Sequence, residues 1–151
     1  MAYGFGMSRK IFLGIGFILI AAALFVFLRA KAPVPVLNSD IRVSAPVSGA
    51  LVTSPLSITG EARGTWFFEA SFPIELFDAN HHEILSADKN SVAAFVAHAE
   101  GEWMTEDFVP FSATLDFTPP ATDTGFLVLK KDNPSGLTEY DASVEIPVRF
   151  R

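Results

Sequence analysis

SVEIPVRF, residues 143–150, alternates without a break: Val144, Ile146, Val148 and Phe150 fall on one side of an extended chain, and Ser143, Glu145, Pro147 and Arg149 on the other. Successive side chains of a strand point to opposite faces, so the segment predicts one face in a core and one in water. Pro147 cannot donate to a ladder, which predicts an edge position. Working outward, PLSITGEA places Leu56, Ile58, Gly60 and Ala62 on one face, and FSATLDF does the same for Phe111, Ala113, Leu115 and Phe117. GFLVLKK predicts a further strand, well buried at Phe126 and Val128. TWFFEASFPIELFD is apolar on both faces, with Trp66, Phe68, Ala70 and Phe72 opposite Phe67, Glu69 and Ser71. That pattern predicts a central strand or one at a sheet crossover, bent or ended by Pro73.

NSVAAFVAHAE reads either as a short helix capped by Asn90 or as a strand with Val92, Ala94, Val96 and His98 on one face. The strand is preferred because its surroundings alternate. Turn residues punctuate the chain at 46–49, 53–55, 78–81, 88–90, 118–125 and 132–136. The sum is an all-β domain of seven or eight short strands over residues 40–151, the spacing of an immunoglobulin-like β-sandwich.

The N-terminal quarter is different. IFLGIGFILIAAALFVFL, residues 11–28, carries no charge; as a helix it is about 27 Å long, enough to span a bilayer core. Arg9 and Lys10 on one side and Arg29 and Lys31 on the other can reach the headgroups. The reading is a short cytoplasmic N-terminus (1–10), a transmembrane signal anchor in contact with membrane lipid (11–28), and a Pro-containing linker (29–39). The rival is a signal peptide cut after Ala32; the length of the apolar run and Pro33 just beyond the cut favour the anchor. Either way the C-terminal domain is exported. With no cysteine in the chain, it has no disulfide to hold it.

Residues 1–39 carry four basic and no acidic groups, whereas residues 40–151 carry seven basic against all 17 acidic, a net −10. Such a body repels phosphate backbones, which argues against nucleic acid as a partner.

Three longer stretches, PVSGALVTSPLSITGEARGTWFFEASFPIELFD (46–78), GEWMTEDFVPFSATLDF (101–117) and GFLVLKKDNPSGLTEYDASVEIPV (125–148), resemble the bacterial spore-germination immunoglobulin-like domain family across Ile41 to Phe150. The resemblance implies a small β-sandwich appended to lipoproteins or membrane-anchored envelope proteins, in organisms with and without spores. It carries over no catalytic or ligand residue. Asn80-His81 departs from the Asn-Gly expected of a hairpin turn, since His81 resists a positive φ.

For the candidate residues, core packing is the first reading of Trp66. Glu69, a carboxylate among aromatics, needs a partner if buried, and Arg63 is the nearest basic candidate. Trp103 and Glu102, in the turn-rich GEWMTED, and Asp132, Asn133 and Ser135, in a loop shaped by Pro134 and Gly136, form a possible ligand surface. His81, His82 and His98 lack zinc-ligand spacing, and Asp78 with Asn80, or Asp132 with Asn133 and Asp141, lack an EF-hand pattern. No Gly-x-Ser-x-Gly elbow, phosphate-cradling loop or Cys/His pair is present. The reading is a non-enzymatic module without cofactor or metal, outside the cytoplasmic membrane, with a binding or structural role in the envelope and an envelope protein or cell-wall glycan as its partner. The alternatives are an accessory cell-wall glycan-binding domain and, last, an envelope hydrolase using Glu69 or a Glu102/Glu106 pair.

Overall fold

The computed structural model describes residues 36–87 and 95–151, and for Val36 and Leu37 the backbone only. The segments 1–10 and 11–28, most of the linker and residues 91–94 lie outside the described residues. Among the described residues no helix is long and apolar enough to cross a membrane.

Among the described residues nine strands form one hydrogen-bonded sheet: β1 (Val36–Leu37), β2 (Ile41–Ala45), β3 (Ala50–Val52), β4 (Leu56–Arg63), β5 (Ser71–Asp78), β6 (Phe95–Ala99), β7 (Phe108–Leu115), β8 (Thr124–Lys130) and β9 (Ser143–Phe150). Their order is β1-β2-β4-β7-β6-β5-β8-β9-β3. Eight of the nine lie within residues 40–151, the upper of the two predicted counts. All neighbours are antiparallel except β3 and β9. Phe117, two residues past β7, and Phe150 at the end of β9 have ring centroids 6.0 Å apart. In a flat sheet strands four places apart would be separated by about 19 Å. The sheet therefore curls over, and its halves, joined by the two residue pairs of β6 and β7, face each other across one core.

The alternation becomes burial as predicted in β4, β7 and β9. Leu56, Ile58, Gly60 and Ala62 are buried, as are Phe111, Ala113, Leu115 and Phe117, and Val144, Ile146, Val148 and Phe150. Gly60 leaves room that Phe111 uses: a Cβ there would overlap the Arg42 carbonyl oxygen and approach Phe111 Cζ to 2.7 Å. Phe72 is fully buried, with its ring at 5.0 Å from Phe111, 5.3 Å from Phe67 and 6.3 Å from Trp66.

Four expectations need correction. The phase of β8 is the reverse of that expected: Leu127 and Leu129 are fully buried, while Phe126 and Val128 are half-buried. β6 is not among them: over the described 95–99 it is a strand as preferred, with Val96 and His98 together on its exposed face and Ala97 buried. Pro73 does not end its strand. Ala99 N–H donates to Ala70 O, so alternate residues bond β6 and the Pro73 nitrogen faces the other side, where pairing with β8 starts only at Ile74. Pro147 is tolerated for the same reason, but not on an edge strand: its nitrogen faces β3, whose ladder begins at Val148.

The largest correction is at 64–70. Instead of a strand, Gly64–Trp66 form a 3₁₀ turn, and Phe68 and Ser71 exchange backbone hydrogen bonds of 2.9 and 3.1 Å around Glu69 (φ 50°) and Ala70 (φ 60°). Two successive positive φ values are what a type I′ turn requires, and neither residue is the Gly or Asn that accepts them at low cost. Ala70→Gly should therefore stabilise the domain by about 1 kcal/mol, seen as a rise of a few degrees in Tm; an unchanged or lower Tm would contradict this backbone.

Asp78 to His82 form the hairpin turn at the opposite end. His81 takes φ 60° despite its side chain, and its ring stacks on Phe126 at 5.2 Å. Asp78 Oδ1 accepts the N–H groups of Asn80 (2.8 Å) and His82 (2.9 Å). The His82 N–H holds the carboxyl below its ordinary value. Burial opposes this, and the Asn80 N–H and the His82 ring, 3.4 Å from Oδ2, add to the lowering. A depressed carboxyl pKa stabilises the fold above the unfolded-state value, near about 4, and the contribution vanishes as pH falls through the folded value. The Tm advantage of the parent over Asp78→Asn should shrink below about pH 4; a constant difference would show that the charge is not involved.

Candidate functional site

Strand direction brings three loops to one end of the sandwich: 64–70 between β4 and β5, 100–107 between β6 and β7, and 131–142 between β8 and β9. They interlock. Gly64 N–H donates to Asp107 O (3.1 Å), and Arg63 Nη1 donates to Glu106 O (3.0 Å). A Cβ on Gly64 would overlap the carbonyl oxygens of Thr105 and Trp103, so the 100–107 loop lies directly on the 3₁₀ turn. On the other side Asp132 N–H donates to Trp66 O (3.0 Å).

Each loop also bonds within itself. Met104 N–H donates to Glu102 Oε1 (3.0 Å), and Thr105 N–H to Trp103 O (2.8 Å). In 131–142, Asn133 Nδ2 donates to Leu137 O (2.8 Å) and Asp141 Oδ1 (2.7 Å), while Ser135 Oγ donates to Asn133 Oδ1 (2.6 Å). Asn133 and Ser135 thus shape their loop by bonding it to itself. A shallow, open depression of about 480 Å³ runs between Phe67, Thr65 and Gly64 on one side and Trp103, Met104, Thr105 and Glu106 on the other.

The fold brings Arg63, Trp66, Glu102 and Trp103 to this end and places Asp132, Asn133 and Ser135 on the adjoining loop. Trp66 is 1% exposed and packs in the core, whereas Trp103 is half-buried beside the depression. Glu69 is exposed on the type I′ turn and needs no buried partner. Arg63 instead lies over the Phe108 ring at 4.3 Å, and Arg42 over the same ring at 3.8 Å. Glu69 and Arg63 are therefore not the structural pair expected of them.

Sequence reasoning missed Phe68 (42% exposed), Met104 (74%), Leu137 (51%) and Tyr140 (54%). With the depression they give this end exposed apolar surface. The signal for Met104 was its place beside Trp103; Phe68 was hidden in the supposed strand. Among the described residues no three His, Cys, Asp or Glu side chains are grouped to hold a metal ion.

An all-β immunoglobulin-like sandwich presenting three interlocked loops is a scaffold class known for display rather than for one chemistry. The chain belongs to the family described as the immunoglobulin-like domain of bacterial spore germination, whose model matches residues 40–138. The match stops before β9, yet seven residue pairs join β9 to β8 and its alternate residues fill the core, so in this chain the domain continues to Phe150. No curated protein and no solved structure gives a match.

Proposed function

We propose that this chain is a non-catalytic docking module of the bacterial cell envelope, held in the cytoplasmic membrane by residues 11–28 and recognising its partner through the three-loop end. The observation that carries the docking reading is the distribution of exposed large apolar side chains: of seven among the described residues, Phe68, Met104, Leu137 and Tyr140 lie in these loops. Isolated apolar residues on a surface are ordinary, but several on one set of interlocked loops match the Met and aromatic enrichment of interfaces. The membrane reading rests on the uncharged 18-residue run and its basic flanks.

A second reading, cell-wall glycan binding, is favoured by the indole of Trp103 beside a depression lined by Thr65 and Thr105. Two experiments test the function. Protease added to intact spheroplasts should degrade the domain, and full protection would contradict an outward orientation. Sedimentation with purified cell wall, comparing the full chain with Trp103→Ala, tests the second reading: retention that Trp103→Ala abolishes supports glycan, and equal or absent retention counts against glycan binding at Trp103.

A further inference from the structure

We infer that the partner of the three-loop end is a cationic polypeptide segment carrying aliphatic or aromatic side chains between its lysines and arginines. The inference rests on the docking reading above and deepens it. Loops 64–70, 100–107 and 131–142 hold eight carboxylates against one cation, Lys131, and Arg63, just before the first loop and bonded to the Glu106 carbonyl, adds a second at their base. Seven of the eight are exposed, Asp132 alone being half-buried.

None of the eight is ion-paired among the described residues. The cations that do pair there go elsewhere: Arg42 to Glu61 (3.6 Å), Lys130 to Glu75 (2.9 Å) and His82 to Asp78 (3.4 Å). Lys130 stands at the mouth of the third loop, yet its ammonium turns to a strand carboxylate. Like charges crowded on one end repel each other and disfavour the compact state unless something of opposite sign relieves them. Phe68, Met104, Leu137 and Tyr140 sit within this acidic field. An anionic wall polymer or acidic lipid headgroup would be repelled by it, and a neutral sugar would leave the charge uncompensated. A basic segment with apolar anchors satisfies both, its charges setting encounter rate and register while the anchors are buried.

The test uses the full chain in nanodiscs of zwitterionic phosphatidylcholine. The probes are a fluorescent peptide of alternating lysine and leucine, the same peptide with glutamine for lysine, and an N-acetylglucosamine tetramer. The lysine peptide should bind, and raising salt from about 50 to about 500 mM should weaken it about tenfold or more. The glutamine peptide should bind about tenfold more weakly. Glu102→Gln with Glu139→Gln, and separately Met104→Ser with Tyr140→Ser, should each weaken the lysine peptide severalfold, and Leu85→Ser, at the opposite end, should not. Equal binding of the glutamine peptide, or salt-insensitive binding of the sugar tetramer lost in Met104→Ser with Tyr140→Ser, would overturn the cationic partner while keeping the docking end. Binding of every probe unaffected by both loop double variants would overturn both.

Discussion

Truncating Phe72 to alanine should lower the unfolding free energy by about 3 to 5 kcal/mol, enough to leave most of a marginally stable domain unfolded. The ring is fully buried at the start of β5, where it touches Trp66 and Phe67 of the 64–70 segment and Phe111 of β7. It thus ties the two halves of the curled sheet to the loop end. Removing it deletes the burial of a large apolar side chain and leaves a cavity that three neighbours on two different segments cannot jointly fill. Urea unfolding followed by tryptophan fluorescence measures the loss. A change under about 1 kcal/mol would mean that the curl places something else at the centre of this core.

Gly64→Ala should have the second largest effect, and a local one. The new methyl group would meet the backbone carbonyl oxygens of Trp103 and Thr105, which cannot rotate aside as a side-chain tip can. Either the 100–107 loop lifts away or β4 shifts; overpacking of this kind costs about 1 to 3 kcal/mol. The Gly64 to Asp107 and Arg63 to Glu106 hydrogen bonds should weaken with it. Amide exchange should quicken over 103–107 and stay unchanged in β8 and β9. Gly136→Ala is the contrast: nothing lies within 4 Å of its Cβ position, so only its φ of +66° is strained. It should cost about 1 kcal/mol without disturbing 103–107. Matching exchange patterns in the two variants would contradict the interlocked loops.

Much of the scaffold could be read from alternation alone. Leu56 to Ala62, Phe111 to Phe117 and Val144 to Phe150 each bury the face their period predicts, because one face of a curled sheet must be apolar. The reading failed where chemistry and conformation part company. Glu69-Ala70 turns the chain without Gly or Asn, so the aromatics before it look like the continuation of β5. The phase of β8 was hidden because Phe126, Leu127, Val128 and Leu129 are all apolar, and only the packing of its two neighbours selects which pair faces inward. Trp103 and Glu102 stood out by composition. The meeting of Trp103 with Gly64 and the nearness of 131–142 follow from strand order, which brings together loops about 30 to 70 residues apart and which no local pattern encodes.

The most direct test is photocrosslinking in living cells. A photoreactive residue replaces Met104 at the loop end in one full-length version and Leu85, 68% exposed at the opposite end, in another. Specific adducts from position 104 and none from position 85 are predicted. Adducts from position 85 alone, or the same adducts from both, would contradict recognition through the three loops.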